Sequence, residues 1–393
     1  MGSDPIKILY LSYDGLTDPL GQSQILPYLI ELSKKGFSIS IISFEKKDRF
    51  KRLSLEIQSA CLTGNVDWHP FAYHKSPPIL SALYDAWILY KRSKTIYKDR
   101  GFKIVHCRSY ITSLIGLRLK KKFGVKFIFD MRGFWADERV EGGLWNLKNP
   151  IYKLVYEYFK KKERSFLRDS DCIISLTKNA ASEIAKQEVK TPVMIIPTCV
   201  DTDFFDQERI PVKNREALKN QLGIDHNDVV LLYLGSWGTW YMTQEMLDFF
   251  ALIKKKYDRA KFLIVTPDEV DVKNFEFSKD VIITEARRSE VPLHISLATF
   301  SILLIKPSFS KKASSATKMG ELLAMNIPVI TNQGWGDVED IVKETGSFFV
   351  HEFISQKIES NFSSRARAYC KANLSLQFGV TQYAKVYNQL TNE

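Results

Sequence analysis

Twice in this chain an apolar strand runs into a polar turn and then an amphipathic helix, and that alternation confines it to α/β folds. The first start is IKILYLSY, followed by the turn DGLTDPLGQSQ, a helix expected over Ser23–Lys35 with Gly36 as its C-cap, and the strand FSISIISF. The second start is VVLLYLGSWGTWY, where a buried strand ends in Gly235, Ser236 and Gly238 and a helix follows over about Met242–Tyr257. A βαβ opening implies parallel strands, so two such openings imply two parallel sheets. The 393 residues are too many for one ordinary core and suit two domains. The first turn lacks G-x-G-x-x-G, which counts against a dinucleotide fingerprint, although Gly21 would still allow a ligand close to the backbone. A plain turn glycine fits equally well.

The composition, 45% hydrophobic and 26% charged, is that of a soluble globular protein. No apolar run reaches the ~18 residues of a membrane span. The five cysteines are odd in number and form no close pair, which favours reduced thiols and a cytoplasmic protein. No basic leader precedes the first strand, and residues 1–4 read as an expression scar. Charge is uneven: up to Lys190 there are 33 Lys+Arg and 20 Asp+Glu, a net of +13, against +11 for the whole chain. No nucleic-acid-binding motif accompanies this excess. Basic-aromatic helices such as Leu80–Lys98 are compatible with contact to an anionic membrane, or with an ordinary solvated helix face.

Two stretches are candidates for chemistry. In KPSFSKKASSATKMGELLAMNIPVI, Lys306 to Ile330, a polar loop joins a buried strand to a helix expected over Thr317–Met325. A helix N-terminus after a strand attracts anions, and here Lys311, Lys312 and Lys318 add charge while Ser314, Ser315 and Thr317 add donors. Glu321, one turn into the helix, is placed to accept from a sugar hydroxyl. The same residues also read as a solvated loop capped by Ser315 or Thr317. The second stretch, MRGFWADERVEGGLW, follows the strand VKFIFD, at the strand end where open α/β sheets bind ligands. Within it, Asp137 or Glu138 would take a proton from an acceptor hydroxyl, and Arg132 would neutralise a phosphate or fix that carboxylate. A surface loop with local ion pairs is the alternative. The last helix, about Leu374–Leu390, alternates aromatic and polar positions at helical spacing and should dock on a partner surface.

Taken in order, these segments resemble the retaining nucleotide-sugar glycosyltransferases of GT-B fold, the group 1 family, over nearly the whole chain. KILYLSYDG…GQSQILPYLIELSKKGFSISIIS looks like the family's first βαβ unit. IIPTCVDTDFF is similar to its I-P-N-G-V-D linker, YLGSWG to its donor-domain turn, and GELLAMNIPVI to E-A-M-A-x-G-x-P-V-I. The resemblance implies two Rossmann-like domains facing across a cleft: residues 1–200 binding the acceptor, 201–370 binding the nucleotide sugar, and 371–393 as a helix crossing back to the first. It implies that Glu321 holds the ribose, that Gly235, Ser236 and Gly21 lie by the diphosphate, and that the loop from Thr284 to Arg288, with Arg287, passes near the base. It further implies a UDP- or GDP-sugar as co-substrate, a glycan or lipid-linked acceptor and no bound metal, while the lack of a binding motif already speaks against nucleic acid.

Three positions depart from the pattern. The first glutamate of E-x7-E falls at Ala313, the Gly-Arg…Lys pair of the donor turn falls at Ser236 and Tyr241, and a common histidine is replaced by Arg132. We therefore expect the diphosphate cation to have moved to Lys318, with Lys306 or Lys311 beside it. A sugar-nucleotide epimerase of the same fold and a non-catalytic sugar-nucleotide or glycan-binding relative are the alternatives to a transferase.

Overall fold

The computed structural model describes residues 5–355 and 364–392; residues 1–4, read above as a scar, lie outside them. The chain forms two compact units, one running to Pro197 and resuming at Leu376, the other spanning Thr198–Ser375.

The first unit carries seven strands: β1 (Ile6–Leu11), β2 (Phe37–Glu45), β3 (Val66–Ala72), β4 (Ile104–Arg108), β5 (Lys126–Asp130), β6 (Cys172–Ser175) and β7 (Val193–Ile195). They pair in the order β3-β2-β1-β4-β5-β6-β7, all parallel. The order reverses beside β1, so β1 and β4 flank the switch point where ligands approach strand ends in such sheets. Pro70 has no N–H to give a ladder, and it lies in β3, an edge strand. The helix expected over Ser23–Lys35 is broken at Ile25 into Pro19–Gln24 and Leu26–Lys34. Pro27 is the cause, because in a continuous helix it would forfeit a backbone bond, whereas in the first turn of a new helix it forfeits none. The stretch after β5 also differs from a plain loop: Trp135–Glu141 is a short helix.

The last helix, Leu376–Asn392, belongs to this first unit. Its buried residues Gly379, Val380, Tyr383, Val386, Tyr387 and Leu390 fall at helical spacing on one face. Tyr383 meets Tyr28 edge-on at 5.6 Å, and Tyr387 meets Phe37 at 5.3 Å.

The second unit has six strands: β8 (Val229–Leu234), β9 (Ala260–Val265), β10 (Val281–Thr284), β11 (Phe300–Leu303), β12 (Val329–Thr331) and β13 (Phe348–Phe349). Their order is β10-β9-β8-β11-β12-β13, again parallel throughout. Strand period sorts the core into two layers. Val230, Leu232 and Leu234 face a layer that includes Leu322, Leu323 and Val338, while Leu231 and Tyr233 face one that includes Met246, Phe249 and Phe250.

Candidate functional site

In the second unit the site starts where β8 ends. Gly235 has φ +119°, and a Cβ there would sit 2.0 Å from Lys318 Cε and 2.1 Å from its Nζ. Only glycine combines that backbone with that approach. The turn is clamped from two sides: the Trp237 amide donates to Asp268 Oδ2 at 2.8 Å, and the Tyr233 hydroxyl donates to the Ser236 carbonyl. Ser236 itself is exposed.

Lys318 lies in the first turn of the helix Thr317–Ala324 and reaches over this turn. Its Nζ is 3.8 Å from the centre of the Tyr241 ring and 5.5 Å from that of Tyr233. Among the described residues the sealed Nζ has no hydrogen-bond partner. Burial pushes the Lys318 pKa down to about 8, with Glu321 and Asp268 opposing the shift from a distance. A desolvated ammonium held only by aromatic faces is a donor awaiting an oxygen. Around it, Ala316 at the N-cap makes no side-chain cap to the helix, while the Met319 amide donates to the Ala316 carbonyl at 3.0 Å. Ser314 and Thr317 are half-buried nearby in sequence, whereas the Ser315 hydroxyl accepts from the Thr198 amide at 3.0 Å and is committed to the fold.

One turn further on, Glu321 is buried and paired with Arg288 Nη1 at 3.2 Å. Burial raises the Glu321 pKa, and Arg288 opposes it. The Arg288 guanidinium also lies 5.6 Å from the rings of Phe204 and of Phe205. Arg287, the residue singled out in sequence, is exposed, and its amide donates to Glu290. Ala313 is buried. Lys311 is packed on Trp240 at 3.8 Å, and Lys306 is exposed.

The first unit gathers a second polar cluster at the ends of β1, β4 and β5. His106 Nδ1 is 2.8 Å from Tyr387 Oη, and His106 Nε2 is 3.3 Å from Asp130 Oδ2, which Tyr383 also approaches at 3.4 Å. Arg132 Nη1 is 3.7 Å from Asp130 Oδ1, and Arg108 Nε is 3.5 Å from Asp14 Oδ2. Burial pushes the His106 pKa down, which favours the neutral imidazole. Burial also works upward on Asp130, but Arg132, His106 and Arg108 outweigh it and hold the carboxyl below its usual range. Of the acidic candidates beyond it, Asp137 has both oxygens engaged, by Tyr156 Oη and Lys160 Nζ, each at 2.8 Å. Glu138 is half-buried beside it in the same short helix. Gly21 answers to packing: a Cβ would fall 2.0 Å from the Gly15 carbonyl oxygen. That loop is tied down by Glu45, which accepts from the amides of Leu16 and Thr17 at 2.8 and 3.0 Å.

With this geometry in hand, known proteins supply the comparison. Residues 28–204 match the model of Glycosyltransferase Family 4. Alpha-monoglucosyldiacylglycerol synthase of Streptococcus pneumoniae is 28% identical over 316 residues, 77% of this chain; the match spans 65% of that relative's length. Over 98% of this chain the fold superposes on sucrose-phosphate synthase from Thermosynechococcus elongatus, with a TM-score of 0.72, 13% identity and 99% of that chain covered. The chain has the GT-B fold, and its residues 28–204 are similar to family 4 glycosyltransferases. Two further structures share the fold of this GT-B protein. Anabaena HepE in complex with UDP has a TM-score of 0.71 at 12% identity over 98% of this chain and 100% of that one. WaaG, a glycosyltransferase involved in lipopolysaccharide biosynthesis, has a TM-score of 0.67 at 13% identity over 97% and 99%.

Several residues of this GT-B protein were beyond sequence reasoning. Arg288, rather than Arg287, makes the pair with Glu321, and nothing in an Arg-Arg dipeptide tells which side chain turns inward. Asp268 holds the Gly235 turn and Tyr241 holds Lys318, through contacts between segments far apart in the chain. Tyr241 did leave a trace, as the residue standing where the family carries lysine. Among the described residues no cluster of three or more His, Cys, Asp or Glu side chains could hold a metal ion.

Proposed function

We propose that this chain transfers a sugar from a UDP- or GDP-sugar to a hydroxyl of a glycan or lipid-linked acceptor, with retention, in the synthesis of a cell-surface glycan. The observation that carries the reading is the Lys318 ammonium, desolvated, without a hydrogen-bond partner among the described residues, and laid over the Gly235 turn. Negative charge grows on the departing diphosphate as the sugar becomes oxocarbenium-like, so a preorganised cation at the leaving group stabilises the transition state more than the ground state. Lys318 takes the diphosphate in this scheme, with Thr317, Ser314, Gly235 and Ser236 beside it and Ser315 bracing the loop. Glu321 binds the ribose once its oxygens are shared between Arg288 and the sugar, and Arg287 and Arg288 border the base. A nucleotide-sugar fit is supported by the UDP held in the structure of HepE. In the first unit Arg132 and Glu138 serve the acceptor, Asp137 anchors the helix that carries Glu138, and Gly21 shapes the loop after β1.

A lipid-linked acceptor is supported by the similarity to a glycolipid synthase and by two helices of the first unit. Leu83 and Trp87 on one, and Leu154 and Tyr158 on the other, are exposed, Leu154 by 68%. Lys91 lies 3.7 Å from the Trp87 ring, and Lys162 lies 5.5 Å from that of Tyr158. Apolar side chains interleaved with lysines suit the headgroup layer of an anionic membrane. Among the described residues no helix is long and apolar enough to cross one.

A panel of UDP- and GDP-sugars tests the reading. A transferase releases nucleotide slowly without acceptor and faster with it. A new sugar nucleotide would mean an epimerase, and binding without turnover a non-catalytic relative.

A further inference from the structure

The cluster at the ends of β4 and β5 sets two largely buried arginines against one buried and one half-exposed carboxylate. Arg108 is 5% exposed and the Arg132 side chain 13%, while Asp130, with its pKa held low, is the one fully buried carboxylate between them. His106 bridges Tyr387 and Asp130 and lines the cluster without adding charge. The remaining counter-charge is Asp14, 46% exposed and 3.5 Å from Arg108 Nε. Donors are left over as well: among the described residues Arg108 Nη1 and Arg132 Nε are buried without a hydrogen-bond partner. A guanidinium with an idle N–H in a buried site has lost hydration that nothing yet replaces. The backbone is strained at the same place, since Arg132, a non-glycine residue, has φ +56°. Strain of this kind in a non-glycine residue persists where function requires a particular side-chain direction.

We infer that Arg108 and Arg132 form a binding site for a phosphate-class oxyanion carried by the acceptor, and that Asp14 occupies its mouth as a resident stand-in until the acceptor displaces it. Two guanidinia with idle N–H groups match the oxygens of a phosphate better than they match a neutral sugar. The inference rests on the transferase reading for the word acceptor, but the oxyanion site itself does not depend on it. It also narrows the acceptor class to one with a phosphate close to the reacting hydroxyl.

Inorganic phosphate and pyrophosphate titrated into the full chain by calorimetry provide the test, in a Lys318→Ala background that weakens the anion site of the second unit. Adding Arg108→Gln should weaken anion binding about tenfold, as loss of a charge-assisted contact does. Adding Asp14→Asn instead should tighten it several-fold, because the competing carboxylate is gone. A merely structural role for Asp14 predicts no tightening, so unchanged or weaker binding in Asp14→Asn overturns the inference even if Arg108→Gln fails to fold. Steady-state kinetics then separate the two sources of phosphate. Arg132→Gln should raise the KM for a phosphorylated acceptor and leave the donor KM within about twofold. A rise confined to the donor KM would assign the oxyanion to the nucleotide and overturn the acceptor assignment. Donor hydrolysis by the unaltered protein without acceptor tests the transferase reading by itself. Its absence would sink that reading and leave the phosphate titration intact.

Discussion

At the residue scale Lys318 and Gly235 depend on each other. Gly235 leaves the space that the lysine crosses, and the lysine fills it. Gly235→Ala should therefore cost stability on the order of 1–3 kcal/mol, from the strained φ and the overlap with Lys318. Thermal unfolding measures that loss, and in the double variant with Lys318→Ala the steric part should be recovered while the φ part remains. The charge of Lys318 makes a second prediction. With its pKa pushed down to about 8, the lysine is protonated below that pH and neutral above it. An anionic donor binds the protonated form, so donor affinity should fall between pH 7 and 9, and Lys318→Ala should bind weakly with a flat profile. Stability of the unliganded protein moves the other way. Between about 8 and the ordinary lysine value of about 10.4, the unfolded chain binds the proton and the folded one does not, so stability rises with pH across that window. A Lys318→Met variant should lack this rise in pH-dependent denaturant unfolding.

At the element scale the strand-turn-helix pattern was readable because each element satisfies its own periodicity. The strands beginning at Ile6 and Val229 are short apolar runs bounded by glycine turns, and the helix from Thr317 follows directly from its apolar spacing. What escaped the sequence depends on partners distant along the chain. His106 and Tyr387, bonded at 2.8 Å, are 281 residues apart, and no local signal links them. The break at Ile25 was a different matter, since Pro27 carried the signal in plain view. The departures at Ser236 and Tyr241, and Lys318 as a replacement cation, could be read singly from sequence. Their convergence could not, because it depends on a cation–π contact between β8's turn and a helix some 80 residues later in the chain. The exposed faces of the helices Leu80–Arg100 and Pro150–Asp169 have a role only if a surface covers them. Trp87→Ser with Leu154→Ser should reduce cosedimentation with vesicles rich in anionic phospholipid, by about 1 kcal/mol or more per side chain removed from the lipid interface. Undiminished cosedimentation would remove the membrane from the account.

At the scale of the whole molecule, two parallel-sheet units of the Rossmann kind carry separate polar clusters at strand ends. One centres on Lys318 and Glu321, the other on Arg132 and Arg108. In the proposed scheme the first supplies a cation for a nucleotide diphosphate, and the second supplies guanidinia and a carboxylate for an acceptor. The central claim is that Lys318 has taken over the diphosphate contact that Ser236 and Tyr241 cannot make. Calorimetric titration of UDP and GDP into the unaltered protein and Lys318→Ala at pH 7 tests it most directly. The account predicts that the preferred nucleotide binds the variant at least about tenfold more weakly, the size of one lost charge-assisted contact, with an unchanged melting temperature or a higher one. Equal affinity for that nucleotide in the two proteins would contradict it.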